Sequence, residues 1–282
     1  MKPAPALFAG TDLAARVERA ECSLIAEAAE AAQRRDPHAP VFLRPFAGGV
    51  AVWAGEGSPL NKVAGLGFAG APDGADLDEV ERAFAARRAP VQIELATLAE
   101  AGISALLSRR GYQLMGFENV LGLRLPAPDA ARSAPEVEVR ESGMDEIDTW
   151  LDIVVTGFAH PDDQGVASHE QYPREALERV IGDLALSGGF RRFLARRDGE
   201  PAGGASLRLS EGVAQLAGAA TLPEHRRRGV QSTLAAARLA LAAEAGCDVA
   251  VVTTQPGSKS QQNVQRQGFQ LLYSRAVLVR GG

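Results

Sequence analysis

An internal repeat constrains the fold of this chain more than any other feature of its sequence. A shift of 157 residues aligns residues 109–121 with residues 266–278, and six of the thirteen aligned pairs are identical. Unrelated segments of ordinary composition would match at about one position in thirteen. An apolar segment, residues 91–95 or 249–252, precedes each copy. Two copies of this length predict two related modules rather than a solenoid of many short repeats.

A proline-rich segment separates the two copies. Residues 126–136 read PAPDAARSAPE, which is polar and shows no periodicity, so we interpret it as a linker. The chain then divides into a module at residues 1–125, the linker at 126–136 and a module at 137–282. A length of 282 residues suits two domains, and 46% hydrophobic residues suffice for a core in each.

The sequence of the second module predicts alternating strands and helices. Alternating apolar residues, helical spacings and an Asp-Gly turn at Asp198-Gly199 set the assignments. The predicted elements are a strand at 137–140, helices at 144–155 and 175–186, a hairpin of 192–196 with 202–209, a strand at 213–221, a helix from 230 and a strand at 247–253. Hairpins combined with a β-α-β crossover favour an α+β fold with a partly parallel sheet.

Charge and cysteine content exclude several classes of protein. The formal net charge of -5 argues against a dedicated nucleic-acid binder and against a polybasic membrane protein. The two cysteines, Cys22 and Cys247, lie far apart and have no metal-ligand spacing, so we expect a reduced, cytoplasmic protein without a metal. The most apolar helix, residues 234–243, is interrupted by Arg238 and is too short to span a bilayer.

Residues 221–232, TLPEHRRRGVQS, carry the strongest functional signal. Three arginines, Arg226, Arg227 and Arg228, and a glycine, Gly229, lie between a predicted strand and a predicted helix. A helix N-terminus offers unbonded backbone N–H groups and the positive end of the helix dipole, and glycine lets a ligand approach the backbone closely. We therefore predict an anion site, with a phosphate as its anion. The alternative is a solvated basic turn.

This segment resembles motif A of the GNAT superfamily of N-acetyltransferases, whose pattern is (Q/R)xxGx(G/A). Arg226 and Gly229 match the pattern, whereas Gln231 stands where the family usually has a small residue. Residues 260–269 resemble motif B, and the whole resemblance covers about residues 137–280. It implies an α+β fold of the three-layer α/β type, as two tandem GNAT-like modules with mixed, mostly antiparallel sheets flanked by helices.

The resemblance also implies acetyl-CoA as cosubstrate, no metal, and direct attack of a primary amine on the thioester. Backbone N–H groups near residues 220–222 are expected to meet the oxyanion. The residues implied in binding acetyl-CoA are Ala220, Thr221, Leu222, Arg226, Arg227, Arg228, Gly229, Val230, Gln231, Ser232, Asn263 and Arg266. For Asn263, a helix cap is the alternative.

The catalytic acid and base are less well defined. Family members often carry a tyrosine as general acid at the position of Val264, so Tyr273 is the nearest substitute, with packing as its alternative role. Residues 215–221 contain no carboxylate to act as base. Candidates for this base lie in the acceptor-side loop at residues 160–170, and an ordinary loop role is the alternative for the first of them. They are His160, Asp162, Asp163 and Glu170.

The first module resembles an eroded copy. Its strand ends in Gly65-Leu66-Gly67-Phe68 with no arginine following, and its predicted helix, residues 77–87, is shorter. We expect this module not to bind CoA and to wall the acceptor cleft of the other. The predicted partner is a small-molecule amine or a peptide, with no nucleic acid and no membrane, for a monomer or homodimer. A non-catalytic acyl-CoA-binding or regulatory protein is the alternative function.

Overall fold

A computed structural model describes residues 6–127, 133–160, 166 and 172–281 of the chain. The chain forms two compact units, each of which collects segments that are distant in sequence. The C-terminal unit contains Met1–Leu7, Leu121–Arg174 and Gly188–Leu271, and the N-terminal unit contains Phe8–Val120, Glu175–Ser187 and Leu272–Gly282. These units cut across the sequence modules 1–125 and 137–282, whose boundaries stay a prediction.

The described elements are, in chain order, α1 (Thr11–Arg35), β1 (Phe42–Phe46), β2 (Gly49–Trp53), β3 (Lys62–Ala64), α2 (Gly74–Ala85), β4 (Val91–Ala96), α3 (Ile103–Arg109), β5 (Gln113–Arg124), β6 (Val137–Glu141), α4 (Ile147–Ala159), α5 (Arg174–Leu184), β7 (Phe190–Arg197), β8 (Glu200–Ser210), β9 (Val213–Thr221), α6 (Val230–Glu244), β10 (Val249–Thr254), α7 (Lys259–Arg266) and β11 (Gln270–Arg280). Short 3₁₀ turns at Met144–Glu146 and Pro223–His225 precede α4 and α6. The elements predicted for the second module are therefore present, with ends shifted by a few residues. Sequence analysis made no prediction for α1.

Both units have a mixed, mostly antiparallel sheet. The strand order is β1-β2-β3-β4-β11 in the N-terminal unit and β10-β9-β8-β7-β6 in the C-terminal unit. Each sheet contains one parallel pair, β3 with β4 and β9 with β10. The N-terminal sheet receives its last strand from the second sequence copy, because Arg275 of β11 pairs with Ala96 of β4. The predicted fold class is confirmed.

Helices cover both faces of the C-terminal sheet. Successive residues of a strand point to opposite faces, and β8 contains the adjacent glycines Gly203 and Gly204. A Cβ atom on Gly203 would meet Val230 of α6, whereas one on Gly204 would meet Val154 of α4. Helices α6 and α4 therefore lie on opposite faces, which gives the three layers of the predicted α/β type.

The N-terminal unit packs helix α1 against its sheet. Buried residues recur along α1 every three or four positions, among them Val17, Leu24 and Ala28, and this spacing gives the helix one apolar face. Val180 of helix α5 belongs to the same buried cluster as Ala28 and Val52 of β2. A helix from the second half of the sequence thus completes the core of the N-terminal unit.

Candidate active site

The N-terminus of helix α6 carries backbone donors that the helix itself does not use. Arg227 and Gly229 both have a positive φ, +60° and +80°, and no side chain caps the helix at Gly229. The first N–H bonded within this end of the helix is that of Thr233, which donates to the Gly229 carbonyl at 3.0 Å. The N–H groups of residues 230–232 precede it and lie at the positive end of the helix dipole. This arrangement can accept an anion.

The three arginines of the turn have different environments. Arg227 and Arg228 are exposed beside the helix N-terminus, where they add positive charge to that of the helix dipole. Arg226 is partly buried, and its guanidinium donates to the carbonyl of His160 at the end of α4. Arg226 therefore connects the turn to α4, which leaves Arg227 and Arg228 as the stronger candidates for a phosphate.

The end of the predicted linker packs against the same turn. The Ala134 N–H donates to Thr233 Oγ1 at 2.9 Å, and a Cβ atom on Gly229 would lie 2.5 Å from the Ala134 Cβ. Glycine is thus required at 229 for two local reasons, the positive φ and the close approach of Ala134. Residues 128–132 of the linker lie outside the described residues.

A cleft opens where the parallel strands β9 and β10 separate. The two strands pair only from Val213 to Gln215 of β9. Beyond this pairing a cleft of about 140 Å³ lies between them, bounded by β9, β10, helices α6 and α7, and Phe158 of α4. The residues of β9 and β10 that line it are Leu216, Ala217, Gly218, Ala219, Val252 and Thr253.

The cleft lies earlier on β9 than the sequence prediction placed the oxyanion donors. Ala220 lies directly against Gly157 of α4, and the Leu222 N–H already donates to the Ala202 carbonyl at 3.1 Å. Thr221 pairs with Gly203 of β8. The Leu222 N–H is therefore already bonded and residues 218–219 become candidate donors, while Ala220 and Thr221 stay predicted contacts.

A β-bulge explains this shift. The β8–β9 register is interrupted between Gly204 and Ser206, so that Gly218 and Ala219 of β9 have no register partner, and Gly218 has φ +57°. A bulge withdraws its extra residues from the ladder and turns the strand. Both residues line the cleft.

Asn263 and Gln231 join helices α7 and α6 at the cleft. Asn263 Nδ2 donates to Gln231 Oε1 at 2.6 Å, and Gln231 lines the cleft. The alternative that Asn263 caps a helix is wrong, because α7 begins after Ser258, whose side chain accepts the Gln261 N–H. Arg266 is exposed in the last turn of α7 and is not among the residues that line the cleft.

His160 is the residue at which helix α4 ends. Its N–H donates to the Thr156 carbonyl, and its Nδ1 lies 2.9 Å from the same carbonyl oxygen. A proton on Nδ1 leaves Nε2 of the neutral ring as an acceptor, which is the form that a general base requires. The other base candidates, Asp162, Asp163 and Glu170, lie outside the described residues.

Tyr273 lies on β11, the strand that follows Gly268-Phe269. It belongs to the N-terminal unit, is buried, and its hydroxyl donates to Glu18 Oε1 at 2.7 Å. Burial, followed by the negative charge of Glu18, raises the pKa of Tyr273 far above its ordinary value. These contacts favour the alternative, a packing role in the core of the N-terminal unit, and the role of Tyr273 as general acid stays a prediction.

Sequence reasoning missed Arg238 as a residue of the site. It was noted only as a charge interrupting an apolar helix, yet it lines the cleft and is 3% exposed. Its position four residues after Leu234, on the buried side of α6, was the available signal. Burial lowers the pKa of Arg238 to about 10.

The corresponding positions of the N-terminal unit have lost the features of an anion site. Helix α2 begins at Asp73, whose carboxylate accepts the Asp76 N–H at 2.7 Å. On the paired strands, Lys62 and Glu94 form a buried ion pair at 2.7 Å. A carboxylate at the helix N-terminus uses a donor and opposes a phosphate, which agrees with the predicted erosion.

Comparisons with known proteins agree with this geometry. Residues 157–269 match the family model described as the acetyltransferase (GNAT) family. No curated protein matches the sequence. A GCN5-related N-acetyltransferase from Kribbella flavida has a TM-score of 0.67 and 19% identity, covering 98% of this chain and 97% of that chain. A tandem GNAT protein from the clavulanic acid biosynthesis pathway has a TM-score of 0.59 and 16% identity, covering 96% of each chain.

In the C-terminal unit, the uncapped N-terminus of α6 adjoins the gap between the parallel strands β9 and β10. Residues 157–269 match the GNAT family model, and the chain has the fold of GNAT proteins, including a tandem one, so the resemblance found in the sequence is confirmed. Among the described residues no helix has the length and apolar character needed to cross a membrane. The same residues contain no group of histidine, cysteine, aspartate and glutamate side chains suited to hold a metal ion.

Proposed function

We propose that the C-terminal module is an N-acetyltransferase that transfers an acetyl group from acetyl-CoA to a primary amine by direct attack. The observation that carries the proposal is the uncapped N-terminus of α6, with Arg227 and Arg228 beside it and the cleft of β9 and β10 next to it. Backbone N–H groups at a helix N-terminus bind phosphates, and CoA presents a pyrophosphate.

The chain's own groups support each part of such a transfer. The pyrophosphate would be held by the N–H groups of residues 230–232 and by Arg227 and Arg228. The thioester would enter the cleft, where the backbone N–H groups of Gly218 and Ala219, which lie outside the β8–β9 register, would meet the developing oxyanion. The amine nitrogen then attacks the carbonyl carbon, the C–S bond breaks, and the proton lost by the amine ends on the thiol. Holding both reactants in the cleft supplies much of the rate.

A titration with acetyl-CoA tests the proposal. We expect one saturable site per chain by calorimetry, weakened at least tenfold in the double variant Arg227→Gln, Arg228→Gln, because charge-assisted contacts to phosphate are lost. Arg191→Gln is the control, since Arg191 is an exposed arginine of β7 that pairs with Glu141. The proposal fails if acetyl-CoA does not bind, or if the double variant and the control bind it equally.

A non-catalytic acyl-CoA-binding or regulatory role is the second candidate function. It is favoured by Val264 at the position of the family's tyrosine and by the structural place of Tyr273. None of the described residues that line the cleft is a histidine, tyrosine or carboxylate. Thiol release from acetyl-CoA in the presence of small amines and peptides separates the two, because a binding protein would saturate without turnover. The acceptor class, small-molecule amine or peptide, and the state as monomer or homodimer remain part of this proposal.

A further inference from the structure

A buried cation lies beside the cleft with only neutral partners. The guanidinium of Arg238 donates from Nη1 to the carbonyls of Ser206 at 3.0 Å and Ala217 at 3.4 Å. Its Nε donates to the carbonyl of Leu234 at 3.1 Å. Arg238 therefore connects helix α6 to strands β8 and β9. Its contacts with Ser206 and Ala217 lie beside the bulge that interrupts the β8–β9 register.

The charge of Arg238 has no counter-charge within the part of the chain that the structure describes, where no carboxylate pairs with it. Its pKa of about 10 still keeps the guanidinium protonated at neutral pH. Arg275, another buried arginine, contrasts with it, because Arg275 Nε lies 2.8 Å from Glu18 Oε1. A buried unpaired charge is costly, so a site that retains one is suited to an anionic ligand.

The position of Arg238 indicates which bound molecule carries the anionic group that pairs with it. Gln231, Ala235 and Arg238 follow one another along one face of α6, and all three line the cleft. Gly229, where the phosphates of a CoA would lie, precedes Arg238 by nine residues, or about 14 Å of helix at 1.5 Å per residue. A group that reaches Arg238 along this face belongs to the molecule whose phosphates lie at the helix N-terminus, and hence to the acyl donor.

The size of the cleft limits the acyl group. A cleft of about 140 Å³ is small beside the roughly 300–1,000 Å³ of pockets that take drug-sized ligands. Its size therefore favours a short acyl group.

We propose that the C-terminal module, beyond acetyl-CoA, accepts as acyl donor a CoA thioester of a short dicarboxylic acid, such as succinyl-CoA, whose terminal carboxylate pairs with Arg238. The inference rests on the proposed function only in requiring that the module binds CoA. The transfer itself is unchanged: the amine forms a C–N bond to the thioester carbon, the C–S bond breaks, the amine proton ends on the thiol, and the terminal carboxylate is carried over intact.

Binding to the unmodified full chain is the first test. Succinyl-CoA, butyryl-CoA and CoA are titrated separately by calorimetry. The butyryl group has the same chain length as the succinyl group and carries a methyl group in place of the terminal carboxylate. We expect succinyl-CoA to bind at least tenfold more tightly than butyryl-CoA. If both thioesters bind equally, or butyryl-CoA binds more tightly, this inference is wrong and the proposed function stands. If CoA and both thioesters fail to bind, the proposed function is wrong as well.

Two variants assign the preference to Arg238. We expect Arg238→Met to remove the preference for succinyl-CoA while CoA binds within threefold of the unmodified chain, and Arg238→Lys to retain a preference. Arg191→Met is the control for the loss of one positive charge from the same unit. If Arg238→Met does not fold, the unmodified chain and Arg238→Lys decide. An equal loss of affinity for all three compounds would show that Arg238 only supports the bulge, and would overturn the inference.

Discussion

The carboxyl group of Glu118, on β5 in the N-terminal unit, gives the most direct test of the buried charges. Burial raises the pKa of Glu118 from its ordinary 4.5 to about 7. The negative charges of Glu94 and Glu21 act in the same direction, and the positive charges of Lys62 and Arg275 oppose them. Glu118 is therefore less well paired than Glu94, whose pKa is lowered by Lys62 against the effect of its own burial.

This difference predicts a pH-dependent stability. Because the folded chain holds the Glu118 proton to higher pH than the unfolded chain does, the contribution of Glu118 is fully present below about pH 4.5 and is lost as the pH rises through about 7. A rise of about 2.5 pH units corresponds to about 3 kcal/mol. Since solvent reaches a fifth of the side chain, we expect an effect of about 2 kcal/mol between pH 5 and pH 8.

The variant Glu118→Gln tests this expectation. An amide stays neutral at every pH, so the variant does not lose this contribution as the pH rises. The free energy of unfolding of the variant, relative to that of the unmodified chain, should therefore increase by about 2 kcal/mol between pH 5 and pH 8. Urea unfolding at several pH values, followed by circular dichroism and tryptophan fluorescence, measures the difference. Glu138→Gln, at an exposed glutamate of β6, is the control and should show no such trend. A difference for Glu118→Gln that does not change with pH would refute the reasoning.

Three further substitutions give clear expectations. Gly229→Val should reduce acetyl-CoA affinity at least a hundredfold by calorimetry with the fold retained by circular dichroism, because φ is +80° and a Cβ atom would meet Ala134; unchanged affinity would contradict the proposed site. Tyr273→Phe should lower the free energy of unfolding by about 1 kcal/mol and leave turnover unchanged; a large loss of kcat would restore Tyr273 as the acid. Arg275→Met should cost about 3–5 kcal/mol in urea unfolding, because Glu18 is left buried without its partner; a cost below 1 kcal/mol would argue against the buried pair.

Local sequence patterns predicted most of the second module. The strand at 213–221 agrees with β9 residue for residue, and the hairpin and the helix that begins at residue 230 were also found. These elements follow from alternation, helical spacing and glycine-containing turns, all of which act over a few residues. The turn before α6 was predictable for the same reason, since the positive φ and the uncapped helix end depend on Gly229 and its chain neighbours.

The partner of each repeated strand could not be predicted. Residues 109–121 and 266–278 are similar enough that local pattern cannot decide which sheet receives which copy. In the structure, β11 of the second copy pairs with β4 of the first, and Leu121 at the end of β5 joins the core of the C-terminal unit. The choice depends on packing against residues far away in sequence, such as the Arg275 contact with Glu18 of α1.

The sequence by itself determined the resemblance to the GNAT family, the repeat and the arginine-glycine turn before α6, because each depends on residues that are close together in the chain. The tertiary structure decided where the cleft opens, that Tyr273 is a core residue and that Arg238 lines the site. A β-bulge sets the first by shifting the register of β9 against β8. Burial and the presence or absence of an opposite charge set the other two, and these depend on segments that only the folded chain brings together.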